Sequence, residues 1–199
     1  MTTPDITQTM TRTAPLTLEA FMQLGAQYDH AEYIDGEWIE KMPTIFLHGF
    51  TLTLFYDLLS TFVKQQRLGQ AFSATNFVML DTSNWVHGSR IPDVMFYAED
   101  RWQAYLQQTP DVFTKPLLLI PDLAVEIVST NDNYSDLRAK VQGYLRDGVQ
   151  IVWVVDPAKR QIDLYEADRL TVLGVGDTLD GGALLPGFAA PLADIFSAV

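Results

Sequence analysis

The chain has 199 residues, of which 48% are hydrophobic and 12% aromatic, enough to build a core without staples. It contains no cysteine, which excludes disulfides, thiolate metal sites and cysteine nucleophiles, and no apolar run approaches the length expected of a membrane span. Thirteen basic against twenty-five acidic side chains give a net charge of −12, which sets any nucleic-acid reading at a discount, because non-specific grip on a phosphate backbone needs a basic footprint.

In chain order, residues 1–15 are Thr-rich and polar and are expected to be disordered or loosely attached. They lack a basic start followed by an apolar stretch, so they do not read as a secretory signal, and a cytoplasmic protein without a membrane partner is the default expectation. Residues 16–199 read as a single domain. TLEAFMQL predicts a short helix with Thr17 as its N-cap. AEYIDGEWIEKM predicts a hairpin, since Asp35-Gly36 supplies the positive φ values of a type I′ turn. Pro43 and Thr44 punctuate the chain before a long helix over about 45–68, ending at Gly69, with Leu47, Thr51, Leu54, Phe55, Leu58, Leu59 and Phe62 on one broad apolar stripe.

AFSATNFVML and RIPDVMFYA predict strands on either side of a turn-rich WVHGS segment. RWQAYLQQ predicts a short helix. LAVEIVS is a near-continuous apolar run that predicts a strand buried on both faces, NYSDLRAKVQGYLRD a helix closed by Gly148, and QIVWVVD a second buried strand. DPAKR turns the chain and QIDLYEA returns it. The tail alternates short strands with Gly-rich turns and ends on a short helix, PLADIF. The pattern predicts an α/β fold, with a mixed central β-sheet flanked by helices.

Three residues stand out chemically. Asp93 follows Pro92 at the head of a strand, where it is either a turn aspartate or a carboxylate held at a sheet end. Glu126 interrupts an apolar strand. An ionised carboxylate in a dry core must be paired, metal-bound or protonated, unless it lies on a polar face that reaches solvent. Lys140 and Arg138 fall at opposite edges of the apolar stripe Leu137, Val141, Tyr144 and Leu145, so either can turn inward or stay solvated. Two carboxylates about 5 Å apart repel by roughly 3 kcal/mol at an effective dielectric of about 20. A divalent cation relieves that cost, and hard oxygen ligands suit Mg²⁺ or Mn²⁺. A lysine beside such an ion can orient a water or stabilise charge on a phosphate, which together would make a kit for phosphodiester hydrolysis.

The ordered set AEYIDGEW, MPTIFLHGF leading a long helix, IPDVMFY, LAVEIVSTNDNYSDLRAK and VWVVDP resembles the Uma2 family, restriction-endonuclease-like proteins of the PD-(D/E)XK nuclease superfamily. The resemblance runs from about Leu16 to Phe196. It implies a restriction-endonuclease-like α/β core, with Asp93 and Glu126 as metal ligands. The commonest superfamily pattern places the lysine two residues after the acid, which here is the apolar Val128; the resemblance assigns it to Lys140 on the following helix instead. It also points to Glu32 near the metal, against an exposed hairpin carboxylate, and to His48 at the start of the long helix, against a satisfied core histidine. Trp153 and Asp156-Pro157 fit the pattern as strand packing and a turn. The segment after the acidic strand departs from it, with Ser129-Thr130-Asn131 where a Ser-Pro pair is usual.

The function implied is a Mg²⁺-dependent endonuclease on DNA. Cutting both strands of a duplex would favour a homodimer, and the charge would fit better if Lys41, Lys64, Arg67, Arg90 and Arg101 gathered on one face. Two alternatives use the same residues differently. One is a non-catalytic module that meets a protein partner through its acidic surface. The other is a metal-dependent hydrolase of small phosphate esters, although no Gly-rich phosphate loop follows a strand.

Overall fold

The computed structural model describes residues 16–199 apart from 26, 29, 42–44, 82–83, 130–131 and 168. The expectations for residues 1–15 and for Pro43 and Thr44 therefore lie outside the described residues. The chain forms two compact units, one of Met1–Met42, Asn76–Ile91 and Pro116–Leu118, the other of Pro43–Thr75, Pro92–Lys115 and Leu119–Val199.

The first unit holds β1 (Leu16–Thr17), α1 (Leu18–Gly25), β2 (Ala31–Ile34), β3 (Glu37–Glu40), β5 (Phe77–Leu80) and β6 (Trp85–Arg90). Its sheet runs β1-β6-β2-β3, with β5 also paired to β6. Thr17 caps α1 as expected, its Oγ1 accepting from the Ala20 N–H at 3.2 Å. The β2–β3 hairpin turns at Asp35 and Gly36 with φ of 52° and 85°, the pair of positive values that a type I′ turn requires. The WVHGS segment is not a turn but β6. Gly88 is there because a Cβ would come within 2.8 Å of the Met79 side chain and 3.2 Å of the Tyr33 carbonyl. Leu18, Phe21, Tyr33, Trp38, Val78 and Val86 form the small core, with the Trp38 ring stacked on Phe21 and on Tyr28.

The second unit is built on a six-stranded sheet ordered β11-β10-β9-β8-β7-β4. Its strands are β4 (Gly69–Ser73), β7 (Val94–Ala98), β8 (Leu123–Ile127), β9 (Ile151–Asp156), β10 (Gln161–Glu166) and β11 (Arg169–Leu173). Only β8 and β9 pair in parallel; the neighbouring pairs are antiparallel, so the sheet is mixed, as expected. All five residues of β8 and all six of β9 are buried. The unit also carries α2 (Phe46–Gln66), α3 (Glu99–Gln108), α4 (Tyr134–Asp147), the short pair β12 (Thr178–Asp180) and β13 (Ala189–Pro191), and α5 (Leu192–Ser197).

Phe55, Leu59 and Val63 of α2 share one core with Val94, Phe96, Leu123, Val125, Ile127 and Trp153. Side chains alternate across a strand, so Ala124 and Glu126 face the other side of the sheet, and α4 covers them there. Asn133 caps α4 by accepting from the Ser135 N–H, and Gly148 closes it with φ of 107°. α2 ends differently from expectation: Arg67 takes the left-handed cap at φ 56°, while Gly69 opens β4, where a Cβ would lie 2.0 Å from the Tyr97 carbonyl oxygen. By length and composition α2 is long and apolar enough to cross a membrane, which corrects the expectation that no apolar run reaches that length; in the fold its stripe packs into the core.

Candidate active site

The site is set by the antiparallel pairing of β7 and β8. Val94 pairs with Val125, Met95 with Ala124 and Phe96 with Leu123. Asp93 immediately precedes β7 and Glu126 immediately follows Val125 on β8, so the two carboxylates flank the Val94–Val125 pairing. Both carboxylates are buried, at 4% and 5% exposure. Asp93 is tied across to β8, its Oδ2 accepting the Ile127 N–H at 2.8 Å. The same oxygen lies 3.2 Å from Nε2 of His48, the third residue of α2. His48 is buried on the inward stripe, and its Nδ1 has no hydrogen-bond partner among the described residues.

Glu126 is held from α4. Lys140 Nζ donates to Oε2 at 2.8 Å, and the Tyr144 hydroxyl donates to Oε1 at 2.5 Å. Residues four apart share a helix face, so one turn of α4 supplies both donors. A charge among Leu123, Ala124, Val125 and Ile127 is tolerated because an ammonium and a phenol hydroxyl replace its water. Between Lys140 and Arg138, α4 turns the lysine inward; Arg138 is exposed. Tyr144 was legible only as a member of the buried stripe. The signal for more was its hydroxyl at the i+4 position from Lys140, facing the strand that carries the acid.

Glu32 lies in β2 of the first unit. It is buried rather than an exposed hairpin carboxylate, and its Oε1 accepts the Ile91 N–H at 2.9 Å. Trp153 is packed in the core, and Asp156 accepts from the Lys159 N–H at 3.0 Å as a turn residue. Of the loop after β8, Ser129 donates its N–H to Asp132, while residues 130–131 lie outside the described residues. A further buried carboxylate, Asp122, stands just before β8 and has a different role. Asp122 accepts from the Ala98 N–H, from Arg101 at 2.6 Å and from Gln150, which consumes one of the basic residues proposed for a phosphate-binding face. Arg90 is also buried, and Lys41 donates to the Ile91 carbonyl.

Among the described residues no group of three or more His, Cys, Asp or Glu side chains is placed to hold a metal. That is compatible with Mg²⁺, which commonly takes one or two carboxylates and keeps several waters. Asp93 and Glu126 offer the hard-oxygen donors that such an ion prefers.

The fold is shared with a solved structure. A crystal structure described as "a putative nuclease belonging to DUF820 from Anabaena variabilis ATCC 29413" superposes with a TM-score of 0.74, covering 92% of this chain and 99% of that one at 22% sequence identity. The sequence matches the Uma2 family, described as "Putative restriction endonuclease", over residues 18–193, and the chain belongs to that family. No curated protein matches it.

Proposed function

We propose that the protein is a divalent-metal-dependent endonuclease hydrolysing DNA phosphodiester bonds, with Mg²⁺ as the ion and Mn²⁺ as a substitute. The observation that carries this reading is two buried carboxylates beside the Val94–Val125 pairing, Asp93 just before β7 and Glu126 on β8, with Lys140 on Glu126. Family membership supports a nuclease; the metal, the substrate and the residue roles are proposals.

In this reading Asp93 and Glu126 would hold the ion. When bound, the ion supplies Lewis-acid stabilisation of charge on the scissile phosphate and lowers the pKa of a coordinated water. The chain's own groups do the rest. The Ile127 N–H fixes the rotamer of Asp93, and Tyr144 fixes that of Glu126. Lys140 holds its proton at Nζ beside the carboxylate, where it can orient the attacking water or stabilise negative charge on the phosphate. His48 would support Asp93 from α2. A two-fold dimer would let two such centres cut both strands.

One observation favours a non-catalytic module on the same fold: both oxygens of Glu126 are already satisfied by donors from the chain itself. Metal binding decides between the two. Mn²⁺ titrated into the wild type and into Asp93→Ala, followed by electron paramagnetic resonance of free Mn²⁺, should show binding that the variant loses. Equal binding by a folded Asp93→Ala would remove Asp93 from the site.

A further inference from the structure

Beside Glu126, on the same face of the sheet, lies a cleft of about 290 Å³. Its floor is Val154 of β9 with Gln161, Asp163 and Tyr165 of β10, and its wall is the first turns of α4, including Tyr134 and Arg138. Register places it relative to the proposed centre. Glu126 pairs with Val154 and Val154 with Asp163, so the three side chains form one row across the sheet. With strands about 4.8 Å apart, Asp163 stands about 10 Å from Glu126, backbone to backbone.

The lining is mixed in a way that suits a flat heteroaromatic ring. Tyr165 is half-buried on the floor and Tyr134 is 60% exposed at the rim, so each has ring surface a base can cover. Lys159 lies over the Tyr134 ring, with Nζ 4.2 Å from its centroid. Asp163 accepts one hydrogen bond from Gln161 at 2.6 Å, and a carboxylate has about four acceptor positions, so it can also take N–H groups from a base edge. Arg138, exposed on α4, supplies a cation at the mouth for a phosphate. The floor is apolar at Val154, as a stacked ring requires.

Resting on the nuclease reading, we propose that this cleft is a nucleobase pocket, which takes the unstacked base of the nucleotide next to the bond held at Asp93 and Glu126. The base stacks on Tyr165 and donates to Asp163, with its phosphate at Arg138. A base can enter only from a single-stranded or locally opened strand, so the pocket selects for such substrates.

The test uses the full chain in EDTA, so that binding is read without turnover. A short single-stranded oligonucleotide carrying 5-iododeoxyuridine is irradiated with the protein and the adduct is mapped by mass spectrometry. Its affinity is measured separately for the wild type, Tyr165→Ala, Tyr165→Phe and the surface variant Arg138→Ala. The expected result is an adduct on Tyr165 or Tyr134. Binding should weaken about tenfold in Tyr165→Ala, the scale of one stacked base, and should also weaken in Arg138→Ala, while Tyr165→Phe stays near wild type. Adducts confined to residues outside the cleft, or unchanged affinity in both Tyr165→Ala and Arg138→Ala, would overturn the pocket. Metal-dependent cleavage by the wild type is scored separately: if it persists while the pocket fails, the nuclease reading stands alone, and if it is absent while the Tyr165 adduct forms, the pocket stands and the nuclease reading falls.

Discussion

Tyr144 and Lys140, one turn apart on α4, grip opposite oxygens of the Glu126 carboxylate, at 2.5 and 2.8 Å. The hydroxyl is buried and the ammonium half-buried. This pairing gives the strand acid a fixed rotamer before any ion arrives. A hydrogen bond to a charged group contributes about 1.5–3 kcal/mol. Tyr144→Phe should therefore lower stability by about 2 kcal/mol, measured by urea unfolding, and should weaken Mn²⁺ binding without changing the metal stoichiometry.

The Glu126–Lys140 pair predicts strong non-additivity. Removing one member of a buried ion pair leaves an uncompensated charge and typically costs about 3 kcal/mol or more, whereas removing both costs less. Lys140 retains 22% side-chain exposure, so water screens part of that cost for the lysine left alone. Lys140→Met should accordingly destabilise more than Glu126→Gln, and the double variant should lie well below the sum of the two. A double-mutant cycle in urea reads the coupling.

Asp122 serves as the contrast. It is fully buried and its oxygens go to a backbone N–H, to Arg101 and to Gln150, which knits the start of β8 to the β7–α3 junction. Asp122→Ala should cost about 3 kcal/mol of stability. Below its lowered melting temperature it should keep the metal affinity of the wild type, which a Mn²⁺ titration checks.

Tyr97 predicts a pH dependence at the alkaline end. Burial pushes its phenol well above the ordinary value of 10.0, and its hydroxyl donates to the Leu119 carbonyl at 2.9 Å. Above that ordinary value the unfolded chain gives up the proton while the folded chain keeps it, so the native state binds more protons and stability falls as pH rises. The contribution is whole below pH 10.0 and is lost progressively above it. Urea midpoints at rising pH should fall in the wild type and flatten in Tyr97→Phe, which itself should cost about 1 kcal/mol at neutral pH for the lost hydrogen bond.

Local signals in the sequence were reliable where the cause is local. The Thr17 cap, the Asp35-Gly36 turn and the Gly148 stop each follow from one or two residues' own geometry. Two glycines misled because their cause is tertiary. Gly69 reads as a helix stop but serves the close approach of β4 to Tyr97, and Gly88 reads as a turn but serves the packing of Met79 inside a sheet. Of the site, the anomaly of Glu126 was visible as a charge in an apolar strand. Its partner did not follow from helical spacing, because Arg138 and Lys140 flank the same stripe; the family resemblance pointed to Lys140, and the rotation of α4 in the fold turns that residue to the acid. Tyr144 was hidden by the opposite problem: an aromatic on a buried stripe looks like core until the carboxylate beside its hydroxyl is known.

Metal-dependent hydrolysis at Glu126 is tested by cleavage of supercoiled plasmid with Mg²⁺, with Mn²⁺ and with EDTA, with a folded Glu126→Ala preparation run in parallel. Nicked and linear products that require the metal and are absent with the variant are expected. Cleavage that persists in Glu126→Ala, or proceeds equally well in EDTA, would contradict metal-dependent hydrolysis there.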